Sequence, residues 1–282
     1  MVYIIVLNFN HPDITIECLE SIKLLSFEHY SVILVDNAST DNSVDILKKY
    51  LQFNKDIHFL TTDENRGYAA GNNVALRYAL KQKDMTYCWI LNNDTIVDKN
   101  ALGKLYKFME VYKDVGICGS KLIYDWDRNK IQGYGGYFNP VLAMSRPCKD
   151  IRMIKHIDFV IGASVFVRRE FLQDIGLMCE DYFLYCEEID WAERAKGKYK
   201  IACVPESIVY HKEGASTGGK SVENRTMLSD YYQLRSRLLF TKKFYKKYLP
   251  TVYFTMIYAI FNRIKRGQYD RIWMIIKLIL KT

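Results

Sequence analysis

The sequence predicts an α/β fold with a mostly parallel sheet and helices on both faces, because strand-like and helix-like segments alternate through its first third. In order, these segments cover residues 3–9, 14–25, 32–35, 44–51, 58–60, 68–80 and 87–91. Polar residues follow three of the strand-like runs, at Asn8–Asn10, Asp36–Asn37 and Asn92–Asp94. Ligands of such sheets bind beyond the carboxyl ends of the strands, so we expect these residues at one binding rim.

The middle of the chain departs from this alternation. Residues 121–155 are rich in glycine, aromatic and basic residues, which predicts a mobile connecting loop or a small hairpin layer. A further strand is predicted over residues 159–167, where Gly162 would let a ligand approach the backbone closely. The last strand is predicted over residues 201–204 and ends at Pro205.

Composition indicates one large folded domain with an appendage. The 282 residues are 49% hydrophobic and 26% charged, which excludes a disordered or fibrous chain. The 7 cysteines include no C-x-x-C pair, which argues for a reducing compartment and against a zinc ribbon. The first residues are typical of a strand and not of a signal peptide, so we expect a cytoplasmic protein.

Basic charge is concentrated at the C-terminal end. The net charge is +8, and the chain from Arg235 onward holds a single acid, Asp270, among many lysines and arginines. We therefore divide the chain into a catalytic domain, residues 1–235, and a basic, aromatic helical tail, residues 236–282. Such a tail favours an anionic partner surface.

The tail pattern is typical of an amphipathic helix that lies on a membrane. One predicted face carries Lys242, Lys243, Lys246 and Lys247, and the other carries Leu238, Phe244, Tyr245 and Tyr248. Two later apolar runs, 251–261 and 272–280, are too short to span a bilayer. The alternative is that these helices pack on the catalytic domain or on a second subunit. Nucleic acid fits the isoleucine and leucine runs less well than lipid does.

Several polar motifs occur in a characteristic order. They are Val6–Asn10, Val35–Thr40, Asn65–Asn73, Leu91–Thr95, Tyr185–Trp191 and Val209–His211. Together they resemble glycosyltransferase family 2, more closely its bacterial rhamnosyltransferase-like branch, over about residues 2–240. The resemblance implies a GT-A fold and a metal-assisted, inverting transfer of a sugar from a nucleotide donor.

The resemblance implies donor-binding roles for the rim. Asp36 would read the base of a uracil or thymine nucleotide, although Asp-Asn-Ala-Ser also suits an Asx-turn. Arg66 would meet the base or the diphosphate, or would be a solvated turn residue. Gly67 would open a helix whose N-terminus favours phosphate. The full donor-binding set predicted is Asn8, Asn10, Asp36, Asn65, Arg66, Gly67, Asn72, Asn92, Asn93 and Gly162.

The resemblance also implies a divalent metal site. Asn92, Asn93 and Asp94 occupy the place of the family's DxD motif, and Asp94 would bind Mn²⁺ or Mg²⁺, with His211 as a further ligand. The alternative is that the Asn-Asn-Asp segment caps the next helix. Residues 212–219 would form a loop that closes over the diphosphate.

The acidic segment Tyr185–Trp191 resembles the family's ED-x-D-W element. Glu188 would be the general base that takes the acceptor proton, and Glu187 would orient it. Asp190, counted with the catalytic residues, would contact the acceptor or anchor the helix by pairing with Arg194. Trp191 and Tyr137 are predicted to bind the acceptor. The alternative is an acidic helix start favoured by the macrodipole.

The predicted reaction transfers rhamnose from dTDP-rhamnose, or else a sugar from a UDP-hexose or UDP-N-acetylhexosamine. The predicted acceptor is a lipid-linked or surface-polysaccharide glycan, as in O-antigen or capsule synthesis, at the inner face of the plasma membrane. Two other classes stay open: a non-catalytic nucleotide-sugar-binding subunit, and a sugar nucleotidyltransferase. The second would carry a glycine-rich loop where Asn8–Pro12 stands. Oligomers through the C-terminal helices are also open.

Overall fold

The computed structural model of the protein describes residues 1–212 and 226–280. Within them the strands are β1 (Val2–Asn8), β2 (Tyr30–Asp36), β3 (Ile57–Thr61), β4 (Tyr87–Asn92), β5 (Thr95–Val97), β6 (Val115–Tyr124), β7 (Asp127–Gly133), β8 (Gly136–Asn139), β9 (Met144–Pro147), β10 (Ser164–Arg168) and β11 (Lys200–His211). The α-helices are α1 (Pro12–Lys23), α2 (Ser43–Leu51), α3 (Tyr68–Leu80), α4 (Ala101–Val111), α5 (Arg169–Ile175), α6 (Glu187–Ala195), α7 (Met227–Phe244), α8 (Leu249–Lys265) and α9 (Tyr269–Leu280).

The central sheet confirms the predicted α/β class. Its strand order is β3-β2-β1-β4-β10-β6-β11-β5, with β7 paired to β6. Strands β3, β2, β1 and β4 are parallel, whereas β10 lies antiparallel between β4 and β6. Parallel strands need covering on both faces, and the central strands accordingly are almost continuous apolar runs. Because the carboxyl ends of β1, β2 and β4 meet at one edge, the three polar segments form one rim.

Two hydrophobic cores cover the two faces of the sheet. Val6 of β1 packs on one face with Leu19 of α1 and Leu102 of α4. Ile5 of the same strand packs on the other face with Leu76 of α3 and Trp191 of α6. Alternate side chains of one strand therefore serve both cores, which fixes the register of the strand.

Two of the predicted strand boundaries were wrong. Strand β10 begins at Ser164 because Phe159 forms an isolated bridge to Gly136 and Gly162 lies in the loop before the strand. Strand β11 continues past Pro205 to His211, because the pairing with β6 shifts register between Val204 and Ile208. A bulge removes the need for a proline N–H, so the strand is not ended by the proline. This continuation brings His211 to the rim.

Residues 121–155 form a hairpin layer, one of the two predicted alternatives. Strand β6 turns into β7, and β8 pairs with β9 in a separate two-stranded sheet. Cys148 N donates to the carbonyl of Gly135 at 2.8 Å, and Tyr134 N donates to the carbonyl of Cys148 at 2.8 Å. These bonds hold β9 beside the segment that joins β7 and β8.

The C-terminal helices pack on the catalytic domain and on each other. Helix α7 runs unbroken through residues 235 and 236, so the predicted boundary falls inside a helix. The buried carboxylate of Asp230 on α7 pairs with Arg263 of α8 at 2.7 Å and with Arg271 of α9 at 3.3 Å. Among the described residues, no helix is long and apolar enough to cross a bilayer.

One lysine of the predicted lysine face also contacts the catalytic domain. Lys243 is 38% exposed, and its Nζ lies 2.6 Å from the carboxylate of Asp190. Tyr245, expected on the apolar face, donates its hydroxyl to Glu193 at 2.7 Å. The buried Asp190 carboxylate would be poorly compensated without its cations, and a periodic sequence pattern does not reveal such a distant partner.

Candidate active site

The ends of β1, β2 and β4 are joined by one chain of hydrogen bonds. Asn93 donates to Thr15 at 3.0 Å, Thr15 donates to Asn8 at 2.6 Å, and Asn8 donates to Asp36 at 2.7 Å. Ser39 adds its amide and its hydroxyl to Asp36 at 2.9 and 2.7 Å. The predicted rim residues therefore lie together, and hydrogen bonds among their polar groups hold the strand ends in place.

The network gives Asn8, Asp36 and Asn10 partners within the protein. Asn8 is fully buried and Asp36 is 1% exposed. The Asp36 carboxylate accepts bonds from Ser39 in the turn that follows β2, as the Asx-turn alternative requires. Asn10 has a φ of 57° and accepts a bond from the amide of Thr40 at 3.0 Å. All three side chains therefore shape the loops of the rim, and their donor contacts stay a prediction.

The segment before α3 is anchored to the same rim. Asn65 accepts a bond from Asn37 at 3.0 Å and another from the amide of Gly67 at 2.9 Å. The amide of Tyr68 donates to the carbonyl of Phe183 at 2.9 Å. These bonds take up the N–H groups of Gly67 and Tyr68, so a phosphate at this helix start would have to be bound by the N–H groups that follow them. Asn72 is fully buried and donates to the carbonyl of Tyr68.

Gly67 is required for a packing reason. Its φ is +94°, and a Cβ there would overlap the backbone carbonyl of Phe183. Only glycine combines this backbone conformation with so close an approach. The segment at the donor rim is thereby locked to the 181–186 loop, which leads directly into Glu187 and Glu188.

A cavity of about 580 Å³ opens beside this segment. Arg66 and Arg77 point to it together with Glu180, and Arg66 is 59% exposed. Arg66 lies 3.6 Å from Glu180, while Arg77 makes the closer pair with the same carboxylate. The full lining is Asn37, Thr61, Thr62, Asp63, Glu64, Arg66, Ala70, Val74, Arg77 and Glu180. Of the predicted donor residues, Arg66 is the one that lines this space.

Asp94 and His211 come together as predicted. Nε2 of His211 lies 3.2 Å from Oδ1 of Asp94, and Nδ1 lies 2.9 Å from Oε1 of Gln132. An amide oxygen only accepts, so Nδ1 carries the proton and the Nε2 lone pair faces the carboxylate. The lone pair and the carboxylate repel each other unless a cation or a proton lies between them. A metal-binding histidine is usually held by a hydrogen bond from its other ring nitrogen, as Nδ1 of His211 is held here by Gln132. The pair therefore fits a divalent metal.

Of the two asparagines before Asp94, Asn93 is 5% exposed and belongs to the rim network. Asn92 is partly exposed, and its backbone donates to the carbonyl of Ala163 at 3.2 Å. Among the described residues, no set of three His, Cys, Asp or Glu side chains forms a metal site. Residues 213–219 of the predicted closing loop lie outside the described part of the chain; Lys212 is described and pairs with Glu17.

Glu187 and Glu188 begin α6 and lie against Gly162. Glu188 is partly exposed, and a Cβ on Gly162 would overlap its carboxylate, so glycine leaves the room that this side chain occupies. Tyr68 donates to the carbonyl of Gly162 at 2.8 Å. Burial raises the pKa of Glu188, while the backbone of Gly162 lowers it. A carboxylate with a raised pKa is a stronger base, which suits proton abstraction.

Glu187 is a buried acid that forms no ion pair with any described residue. It is 2% exposed, and its Oε1 has no hydrogen-bond partner among the described residues. Burial, followed by the neighbouring Glu188, raises the pKa of Glu187 well above its usual value. The pair therefore holds a proton to higher pH than two isolated glutamates, because two adjacent carboxylates resist sharing two charges.

We predict that Glu187→Gln stabilises the fold increasingly as the pH rises. Because the folded pKa is raised, the neutral glutamate contributes most below the unfolded pKa, and that contribution is lost as the pH rises toward the folded pKa. The gain from Gln should grow by about 1.4 kcal/mol per pH unit in this window. Urea unfolding at several pH values between 5 and 8 measures it. A gain that is constant with pH would contradict a neutral Glu187.

The predicted acceptor residues Trp191 and Tyr137 have partners within the protein. Trp191 is fully buried and donates Nε1 to the carbonyl of Gly176 at 2.8 Å, so its role is structural. Tyr137 donates its hydroxyl to Cys148 at 3.0 Å and to the carbonyl of Met153. Asp190 is fully buried and pairs with Arg194 at 2.7 Å, the contact that the anchoring alternative predicted.

The sequence analysis assigned no role to several residues of the site. Ser39 and Thr15 complete the rim network, Gln132 orients His211, and Phe183 meets Gly67. Ser39 belongs to the Val35–Thr40 motif and could have been assigned from Asx-turn chemistry. Gln132 lies far along the chain from its partner, so the sequence gives no indication of the contact.

A parallel sheet with a polar rim, an Asp–His pair and a carboxyl pair at a helix start defines a GT-A-type nucleotide-sugar transferase. Residues 3–176 match the family described as Glycosyl transferase family 2, and the chain belongs to that family. The match confirms the predicted family and the predicted glycosyltransferase. Glu187, Glu188 and His211 lie beyond the matched residues.

Relatives and solved structures support this assignment. The chain is 22% identical to the low-salt glycan biosynthesis hexosyltransferase Agl10 of Haloferax volcanii, over 88% of this chain and 76% of that protein. It is 25% identical to the rhamnosyltransferase WbbL of Escherichia coli K12, over 86% and 97%. The mannosyltransferase PcManGT of Pyrobaculum calidifontis, solved with GDP-Man and Mn²⁺, aligns with a TM-score of 0.62 at 15% identity, over 99% and 84%. This last likeness confirms the GT-A fold.

Proposed function

We propose that this family 2 glycosyltransferase transfers the donor sugar with inversion of configuration at the anomeric carbon and uses Glu188 as its general base. The observation that carries the proposal is the position of the Glu187–Glu188 pair. The carboxylate of Glu188 packs on Gly162, and the loop before it touches the donor rim at Gly67. A base with a raised pKa thus stands next to the place where the nucleotide sugar would lie.

The chemistry is a single displacement. Glu188 takes the proton of the acceptor hydroxyl while that oxygen forms a bond to the anomeric carbon. The bond from the anomeric carbon to the diphosphate oxygen breaks on the opposite face, so the configuration inverts. The nucleoside diphosphate leaves with the bonding pair. Burial raises the pKa of Glu187 well above its usual value, so this side chain keeps its proton to higher pH and adds less negative charge beside the base.

Asp94 and His211 would hold Mn²⁺ or Mg²⁺. A bound divalent cation would offset the charge that develops on the leaving diphosphate. Gln132 fixes the histidine tautomer that such a ligand requires. Water and the diphosphate can fill the remaining positions, because hard cations accept oxygen ligands from substrate as readily as from protein.

The proposed donor is dTDP-rhamnose, supported by the similarity to WbbL over most of both chains. UDP-hexoses and UDP-N-acetylhexosamines are the other donors to test. Arg66 at the mouth of the cavity is the described residue that can meet the nucleotide. The proposed acceptor is a lipid-linked glycan of a surface polysaccharide such as O-antigen or capsule.

A donor screen tests this proposal. Nucleoside diphosphate release is followed from dTDP-rhamnose and common UDP-sugars, with octyl glycosides as acceptors and with Mn²⁺ or chelator. We expect one preferred donor, loss of release in chelator, and a loss of about 100-fold or more in Asp94→Asn. The exposed Asp45→Asn is the matched control. Equal release in chelator and in Asp94→Asn would contradict the metal role, and no release from dTDP-rhamnose would contradict the donor.

We also propose that α8 and α9 attach the enzyme to an anionic membrane. The outer face of α8 exposes Phe254, Tyr258 and Phe261, which are 58–71% exposed, and α9 exposes Trp273. Exposed bases accompany this face, including Lys265 and Arg266 at the end of α8. An apolar, aromatic face with basic residues beside it is suited to the headgroup region of anionic lipid.

Vesicle sedimentation tests the attachment. Vesicles containing phosphatidylglycerol should bind the protein, and vesicles of phosphatidylcholine alone should bind it much less. The double variant Phe254→Ser and Phe261→Ser should weaken binding about tenfold or more. Full burial of one phenylalanine side chain contributes about 1.5–3 kcal/mol, and the variant removes two such rings from the bound face. Phe53→Ser, which removes an 87% exposed ring from the catalytic domain, is the control. Unchanged binding of the double variant would contradict the proposed face.

A further inference from the structure

The loop that precedes the two glutamates is packed directly against α7. Tyr232 of α7 stacks on Phe183 with ring centroids 4.3 Å apart and planes inclined by 14°. Ser236 donates to the carbonyl of Leu184 at 2.8 Å. The hydroxyl of Tyr185 lies 2.6 Å from that of Ser229. Residues 183–185 are therefore held by side chains of one C-terminal helix.

This loop has a backbone that needs such support. Tyr185 and Cys186 have φ values of 71° and 75°, in the left-handed region that residues with a side chain adopt at a cost. Glu187 and Glu188 follow immediately. A strained pair of residues persists only where surrounding contacts over-determine it. The contacts from α7 therefore help to set where Glu188 lies.

A second tie joins α7 to the catalytic helix itself. Asp190 stands two residues after Glu188 on α6 and is fully buried. Its carboxylate accepts bonds from Arg194 at 2.7 Å, Tyr182 at 3.1 Å and Lys243 of α7 at 2.6 Å. Of these donors, only Lys243 comes from outside the segment of residues 182–194. A buried charge that loses one partner is poorly compensated, so α6 depends on α7 for its position.

We propose that Lys243 is a positioning residue for sugar transfer. Through Asp190 it fixes the first turn of α6, and with the other contacts of α7 it holds the Glu188 carboxylate at Gly162. The C-terminal helix is then a part of the catalytic apparatus as well as a link to the membrane-facing helices. This inference rests on the proposed role of Glu188 as the base.

The test compares Lys243→Met with Lys246→Met in the full chain. Lys246 is an exposed lysine close by in the tail, so both variants lose one tail charge. The assay uses the preferred donor and an octyl glycoside acceptor in detergent, so membrane binding does not affect the measured rate. We expect kcat of Lys243→Met to fall by about tenfold or more, because small displacements of a reacting group cost large factors in rate. The donor KM should change less than about twofold, since the donor rim is untouched.

A conservative variant separates positioning from simple stability. Lys243→Arg keeps a cation for Asp190 and should recover most of the lost kcat. In an Asp190→Asn background, Lys243→Met should add no further loss, because Lys243 acts through that carboxylate. A variant that is less stable but retains wild-type kcat, or an arginine variant that restores nothing, would overturn the proposal.

The outcome for Glu188 is read separately. If Glu188→Gln were inactive and Lys243→Met had normal kcat, the positioning role would fail and the proposed base would stand. If Glu188→Gln retained normal kcat, the proposed base would fail whatever Lys243→Met shows. The two failures therefore give different results in the same assay.

Discussion

Glu188→Gln is expected to lower kcat by about 1000-fold while the nucleotide sugar still binds. Loss of a general base typically removes a factor of about 10² to 10⁴ in rate. Glutamine has the same shape as glutamate, so the room left by Gly162 stays filled and the fold should persist. The variant removes the basic oxygen and little else.

The measurement is acceptor-dependent release of nucleoside diphosphate, with donor affinity measured by calorimetry. Glu206→Gln, which alters an exposed glutamate on β11, is the matched control and should behave as the wild type. The wild-type kcat/KM should fall as the pH drops through the raised pKa of Glu188, at higher pH than for an ordinary carboxylate. Normal kcat in Glu188→Gln would show that another group takes the proton.

Gly67→Ala should destabilise the protein by about 2–4 kcal/mol and abolish donor binding in the remaining folded fraction. The new Cβ would meet the Phe183 carbonyl, and alanine would have to adopt a φ of +94°. Relief of that overlap would move the Asn65–Gly67 segment away from the 181–186 loop. Both the donor rim and the approach to Glu188 would change.

The matched control is Gly103→Ala. Gly103 lies inside α4, and a Cβ there would meet nothing within 4 Å, so alanine should stabilise the helix by about 0.5–1 kcal/mol. Urea unfolding measures the stability of both variants, and the dependence of the unfolding free energy on urea concentration should stay unchanged. A neutral Gly67→Ala would contradict the close approach of Phe183 and the coupling of the two loops.

Much of the fold could be predicted because its first half obeys local rules. Segments of period 2 and period 3.6 gave α3 with its exact bounds of 68–80 and the other early elements within a few residues. The end of β11 could not be predicted, because Pro205 is tolerated by a register shift that depends on β6. Long-range pairing overrode the local signal there.

The roles of the rim residues are harder to predict from sequence, because a polar side chain at a rim can either build a loop or bind a ligand. Asn8, Asp36 and Asn72 are buried and bonded within the protein, although their positions match a ligand-binding motif. Sequence pattern alone does not distinguish a side chain that builds a loop from one that reaches a ligand. The sequence pattern placed Lys243 on the surface of the tail, and the structure pairs it with the buried Asp190.

The proton transfer proposed for Glu188 requires a single displacement, and the anomeric configuration of the product tests this most directly. The product of the preferred donor and an octyl glycoside is analysed by NMR, from the coupling between the protons at C1 and C2 or, for rhamnose, from the one-bond carbon–proton coupling at C1. The proposed mechanism predicts one anomer only, with the configuration opposite to that of the donor. A product that retains the donor configuration would contradict Glu188 as a base acting in one displacement.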